Sequence, residues 1–297
     1  MIVCAAANPS VDRLFEVDRL EVGTVHRHGT FAQVAGGKGL NVARAAASLG
    51  ADVQVVTILA GHAGRWLEDE LEREGIPVQA IWVAGESRSS LSVADRGRHD
   101  LTEFYERGVA VDDEAWAGFA NTVSVLSYAA AWLTVSGSVP PGAPADGYRL
   151  LAPACPLALD TVAPHPDGAG LVKLNAAEAA ELTGLATDTA AGAAAAARRL
   201  GGEGTGCVTR GADGAVLSLP DGAALHGSLD AHGRYPVASG DSFLAGLVCA
   251  RAAGAGWDDA LRLALGAGAA NAAVPGAARF DRADAERLAQ RAVIRTL

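Results

Sequence analysis

The sequence is poor in aromatic residues, which make up 5% of it, and it holds a single methionine. Half of its residues are nevertheless hydrophobic, so a core built on large rings is ruled out and small aliphatic side chains, alanine above all, must do the packing. Cys4, Cys155, Cys207 and Cys249 are scattered, with no C-x-x-C pair among them. That spacing argues against a disulfide framework or a cysteine zinc site and suits reduced thiols in a cytoplasmic protein. Seven histidines form no H-E-x-x-H or related cluster, which argues against a histidine metal site. Basic residues are too few for a nucleic-acid surface: the formal net charge is −10, although a local cationic pocket could still receive an anionic substrate. No apolar run reaches membrane-spanning length, and the first residues lack the basic-then-apolar pattern of a leader, so no membrane association is expected.

What the chain does have is alternation. Short apolar runs at 2–6, 53–59, 132–135, 157–160, 171–174, 206–209 and 215–219 read as strands. Helical patterns lie at 40–49, 66–74, 189–200, 242–253, 257–272 and 282–294. This order predicts an α/β fold, a doubly wound, mainly parallel sheet flanked by helices, with ligands gathered at the carboxyl ends of strands. Over 11–34 and 78–106 charged and apolar residues interleave, which predicts half-exposed strands in a small separate β-sheet, a lid inserted into a single domain spanning 1–297.

Six short stretches carry chemistry. Ala238-Ser239-Gly240-Asp241 opens a helix, where unpaired backbone N–H groups and the helix dipole favour an anion and Asp241 can take a proton. The same residues would also make an ordinary helix cap. Gly36-Gly37-Lys38-Gly39-Leu40-Asn41 opens the first long helix, its glycines allowing close approach of a ligand and Lys38 and Asn41 supplying donors; the spacing is not that of a Walker A loop. Asp12 follows the first strand, where a carboxylate can accept from two sugar hydroxyls. Asn175 and Glu178 begin a helix after the run 171–174, a capping-box pattern that could also hold Mg²⁺ through water. Thr209, Gly211 and Gly214 lie in a turn between two strands, and Ser136 begins the rigid loop S-G-S-V-P-P-G.

Taken in order, N-P-S-V-D-R, A-G-G-K-G-L-N-V-A-R, S-G-S-V-P-P-G, N-x-x-E and the S-G-D helix start resemble the PfkB, or ribokinase-like, carbohydrate kinases over essentially the whole chain, closest to the branch of 1-phosphofructokinase and tagatose-6-phosphate kinase. The resemblance implies a ribokinase-like fold with a β-sheet lid often used for homodimers, and transfer of the γ-phosphoryl group of Mg-ATP to a sugar hydroxyl. It implies Asp241 as base, with Ala238, Ser239 and Gly240 beside it. Asp12, Gly36, Gly37, Lys38, Asn41 and Ser136 would orient the sugar, with Arg27 and Arg88 gripping its phosphate. Asn175, Thr209, Gly211, Gly214 and Asn271 would line the nucleotide, Asn271 near the adenine, and Glu178 with Asn175 would organise Mg²⁺. Fructose 1-phosphate is the first substrate expected, with tagatose 6-phosphate, an unphosphorylated sugar or a nucleoside as alternatives, and a non-catalytic sugar-phosphate binder as the reading from another class. The chain departs from the family pattern at Ala238 and Ala278, where glycine is usual, at Tyr105, often asparagine, and in a short stretch between Asp160 and Asn175.

Overall fold

The computed structural model describes residues 1–27, 30–98, 100–231 and 233–297. Residues 28, 29 and 99, which fall in the expected lid segments, and residue 232 lie outside the described residues.

The first strand, β1 (Ile2–Ala6), is an apolar run buried along its whole length, as a strand covered on both faces must be. Next come β2 (Ser10–Val17) and β3 (Thr30–Gly36), paired antiparallel, and α1 (Lys38–Ser48) begins directly after Gly37. β4 (Val53–Ala60) runs parallel to β1, α2 (Gly61–Arg73) crosses over, and β5 (Val78–Val83) adds parallel to β4. β6 (Arg88–Asp95) then pairs with β2, and β7 (Asp100–Tyr105) with β6. After α3 (Asp113–Ser127), the chain returns to the other side of β1 as β8 (Trp132–Ser136), followed outward by β9 (Leu157–Asp160) and β10 (Leu171–Asn175). α4 (Ala176–Thr183) and α5 (Ala190–Gly201) lead to β11 (Thr205–Thr209), β12 (Ala215–Ser218) and β13 (Ala224–Ser228). The chain finishes with α6 (Ser239–Ala252), α7 (Trp257–Ala273), α8 (Arg282–Ala289) and β14 (Val293–Thr296).

Among the described residues the strands form a ten-stranded sheet, in the order β14-β13-β12-β11-β10-β9-β8-β1-β4-β5, and a four-stranded sheet, β3-β2-β6-β7. From β5 to β11 neighbours are parallel; β12, β13 and β14 continue the edge antiparallel. The α/β fold with a large, mostly parallel sheet flanked by helices and a second small sheet is therefore the one expected. Small residues pack it: Ala245, Ala260, Ala264 and Ala267 are all buried along α6 and α7, consistent with the scarcity of rings.

Two expectations are corrected. Residues 78–83 of the second lid segment form β5 and belong to the large sheet, where their backbone pairs with β4 and extends its parallel edge. The helix expected over 282–294 ends at Ala289, because β13 offers an open antiparallel edge that Val293 to Thr296 complete. Neither α3 nor β13 was expected. No helix among the described residues is long and apolar enough to cross a membrane.

Candidate active site

The carboxyl ends of β8, β9 and β10 and the amino ends of α1, α4 and α6 meet at one edge of the large sheet, with the small sheet alongside. Asp12, on β2, is directly opposite Ser90 on β6, and Ser90 is opposite Tyr105 on β7, so these three side chains share one face of the small sheet. The Asp12 carboxylate accepts from the hydroxyls of Ser10 and Ser90 and from the Gly37 N–H at 3.2 Å. Glycine is needed behind it: a Cβ on Gly36 would overlap the carboxylate, and Gly37 takes a φ of 95° to turn the chain into α1. Arg88 lies close enough to Asp12 to feel its charge, and it donates from Nε to the Asn8 carbonyl at 3.2 Å and from Nη1 to the Glu106 carbonyl at 3.4 Å. Arg27 is exposed in the loop before β3.

Asp241 sits in the first turn of α6, almost wholly buried, and its Oδ2 accepts from Asn41 Nδ2 at 2.9 Å. Burial first, and then the charge of Asp160, push its carboxyl up to about 6, against the pull of Lys173, Asn41 and Lys38. The residue ahead of this helix, Ala238, is left-handed, with φ 64° and ψ 8°. The anion corner is smaller than expected, because the Ser239 N–H is bonded to the Pro236 carbonyl at 3.0 Å. The N–H groups of Gly240 and Asp241 have no protein partner among the described residues.

Beside Asp241 runs a line of charge. Asp160, fully buried at the end of β9, accepts from Lys38 Nζ at 3.1 Å and from the buried Lys173 Nζ at 2.7 Å. Burial acts to raise its carboxyl, but the two ammonium groups hold it below the usual carboxylate range. Lys38 also donates to Glu178 Oε1 at 2.9 Å. Burial pulls the Lys38 ammonium down, yet Asp160, Glu178 and Asp241 together hold it above its ordinary value. Asn175 and Glu178 do form the capping box of α4, with Glu178 N–H on Asn175 Oδ1 at 2.9 Å and Asn175 N–H on Glu178 Oε2 at 3.0 Å. Cap and site coincide. Ser136, at the end of β8 opposite Asp160, is buried, and its Oγ has no partner among the described residues.

Beside α4 a cleft of about 500 Å³ is lined by Asn175, Thr187, Asp188, Thr209 and Gly211, with Gly214 at the end of the same turn. Asn271 is elsewhere. It is fully buried on α7, where Nδ2 donates to the Val237 carbonyl at 2.8 Å and Ser239 Oγ at 2.9 Å while Oδ1 accepts from Ala278 N–H at 2.7 Å. Its amide joins the loop ahead of α6 to the turn ahead of α8 rather than lining the cleft.

A model of the pfkB family of carbohydrate kinases matches residues 5–283. The chain belongs to that family. A 1-phosphofructokinase from Haloferax volcanii is 33% identical over 277 residues, which cover 89% of this chain and 88% of that protein. A Thermotoga maritima structure described as a possible 1-phosphofructokinase superposes with a TM-score of 0.89 at 18% identity, covering 100% of this chain and 99% of the other. Phosphofructokinase-2 from Escherichia coli, in complex with substrates and products, gives 0.86 at 21% identity, with 98% of each chain covered. At such identities the two structures speak for the fold alone.

This pfkB kinase is thus a phosphotransferase with an alcohol group as acceptor, and its family implies the use of ATP. Its site contains residues to which the motifs gave no role: Asp160 and Lys173, Ser90, and Ser10 and Arg44, which lie inside the quoted strings. The first two did leave a signal. A lysine inside the apolar run L-V-K-L-N and an aspartate closing L-A-L-D put charges in strands with both faces covered, and buried charges must be paired.

Proposed function

We propose that this kinase transfers the γ-phosphoryl group of ATP to a hydroxyl of a phosphorylated hexose, fructose 1-phosphate first. The observation that carries the reading is Asp241: a buried carboxylate pushed up to about 6, at the start of a helix whose next free N–H groups face the same corner. A base poised near neutral pH accepts the proton of the attacking hydroxyl, and the Gly240 and Asp241 amides stabilise negative charge on the group being transferred. Asp12, fixed by Ser10, Ser90 and Gly37, would hold sugar hydroxyls, and Arg88 beside it would take the sugar phosphate. The 1-phosphofructokinase relative supports fructose 1-phosphate as acceptor. Purified protein with Mg-ATP should release ADP with fructose 1-phosphate in a coupled assay; silence across fructose 1-phosphate, fructose 6-phosphate and tagatose 6-phosphate sinks the proposal. A kinase of unphosphorylated sugars would instead keep its KM when Arg88 is replaced by alanine.

Glu178 fits Mg²⁺ by its chemistry: a partly exposed hard oxygen donor in the same helix start as Asn175, which lines the cleft, held in place by Lys38 and the Asn175 N–H. Glu178 and Asn175 would reach the ion through water, its other positions being filled by water and phosphate oxygens, as this hard cation prefers. When bound, it would neutralise charge on the phosphates of ATP. We further read the enzyme as cytoplasmic, in keeping with its free thiols, and as a homodimer. A second copy would cover the small-sheet face opposite Asp12, which carries the half-exposed Phe31 and Phe104. Light scattering of a Phe31→Glu, Phe104→Glu variant should report monomers; an unchanged mass removes that face from the interface.

A further inference from the structure

Arg44 lies three residues beyond Asn41 on α1, with its side chain 4% exposed. A buried guanidinium must place its donors. Nε donates to Glu74 Oε2 at 2.7 Å, Nη1 to Asn41 Oδ1 at 3.3 Å and the Ala277 carbonyl at 3.4 Å, and Nη2 to the Ala35 carbonyl at 2.5 Å. Asn41 then passes the contact on, donating from Nδ2 to Asp241 Oδ2 at 2.9 Å.

The direction of this relay is fixed by chemistry. A guanidinium has no acceptor, so the Asn41 atom facing it must be the oxygen, and the amide NH₂ must then face Asp241. Were the amide reversed, its oxygen would face a carboxylate, and only a protonated Asp241 could bond to it. We propose that Arg44 is a positioning residue of the phosphotransfer site, locking the Asn41 amide so that Asp241 stays a proton acceptor with Oδ2 committed to Asn41 and Oδ1 left for the acceptor hydroxyl. This rests on Asp241 being the base. The same guanidinium holds the carbonyl of Ala35, the residue before Gly36, which backs Asp12; one side chain thereby joins the sugar side of the site to the base.

The charges around this relay are few. Asp241 feels Asp160 on β9, Lys173 on β10 and Lys38 on α1, while Arg44 feels Glu74 beyond α2, Arg279 ahead of α8 and Asp12 on β2. Glu74 is itself bonded by Arg279. A purely structural Arg44 would use its bond to Glu74 to hold the end of α2, and its loss would lower stability without altering how activity depends on pH.

Arg44→Met and Arg44→Lys variants of the full chain, checked for folding by circular dichroism, separate the two roles. In the Mg-ATP assay with fructose 1-phosphate, the Met variant should lose roughly 10- to 100-fold in kcat, the scale of a disturbed general base. Its KM for the sugar should stay within about threefold, and the acid limb of its kcat profile should move up in pH, because a freed amide favours protonated Asp241. Lys, which still donates toward Asn41 Oδ1, should recover part of both effects, and it carries the test if Met does not fold. In an Asn41→Ala background, replacing Arg44 should move the acid limb no further. A folded variant with reduced kcat and an unmoved acid limb, or an unchanged kcat, overturns the proposal. Asp241→Asn run alongside distinguishes the failures: if it still turns over, the base assignment falls first; if it is dead while the Arg44 variants keep the parental acid limb, only the relay falls.

Discussion

Asp160 and Asp241 are both buried carboxylates at the same edge of the large sheet, and their surroundings drive them in opposite directions. Asp160 is gripped by two ammonium groups, Lys38 and Lys173, and is held below the usual carboxylate range despite burial. Asp241 accepts one hydrogen bond from a neutral amide and is pushed up to about 6 by burial and by Asp160 itself. Two titrating groups whose environments push them apart divide the work between them. The lysine-bound group is a fixed anion that positions Lys38 and Lys173; the amide-bound one can exchange a proton near neutral pH.

The sharpest way to break this comparison is to neutralise each carboxylate in turn. Asp241→Asn should lower kcat by about 10²- to 10⁴-fold, the range for a general base, with the sugar KM little changed in the ADP-release assay. It should also stabilise the protein. In the native state Asp241 binds its proton more tightly than in the unfolded chain, so between about 4 and about 6 the native state holds more protons and stability falls as pH rises. A shift of that size is worth on the order of 3 kcal/mol. The variant should therefore melt several degrees above the parent at pH 8, and the advantage should vanish below about pH 4. Asp160→Asn reverses the sign. Its native value is depressed, so its contribution is complete above the unfolded value and is lost as pH falls. Removing it strands the buried Lys173 and leaves Lys38 with Glu178 alone, and a broken buried pair costs about 3–5 kcal/mol. Thermal melts of this variant should fall furthest below the parent at neutral pH and converge on it in acid; equal shifts for both variants would show that the two carboxylates are not differently poised.

The same contrast marks what sequence could reveal. Strands bounded by glycine and asparagine, and helices opened by Gly36–Gly37, Asn175 and Ala238, were legible because their apolar periods and terminal residues are local signals. Asp241 was legible for the same reason. The pairing of Lys38 with Asp160 and Glu178 was not, since it joins residues 122 and 140 positions apart through topology alone. Asn271 was visible as a residue, but its placement depends on a carbonyl, from Val237, and an N–H, from Ala278, brought to it by two loops. Residues 290–296 could continue a helix or pair as an edge, and only the presence of β13 decides.

Ala238 refines the comparison at the smallest scale, because it sets the backbone that presents Asp241. Its φ of 64° places a Cβ where glycine is at ease, and Ala278, across Asn271, repeats the arrangement with φ 58°. A left-handed alanine costs about 1–2 kcal/mol, whereas a glycine there would give back about 0.4–1 kcal/mol by loosening the unfolded chain. Ala238 also packs against the main core, so its methyl is not wholly a burden. Ala238→Gly should therefore raise the melting temperature by only about 1–3 °C, with kcat unchanged within about twofold. If kcat falls while the protein becomes more stable, the methyl group is holding the Gly240 and Asp241 amides in place, and the poise of Asp241 depends on a strained neighbour as much as on Asp160.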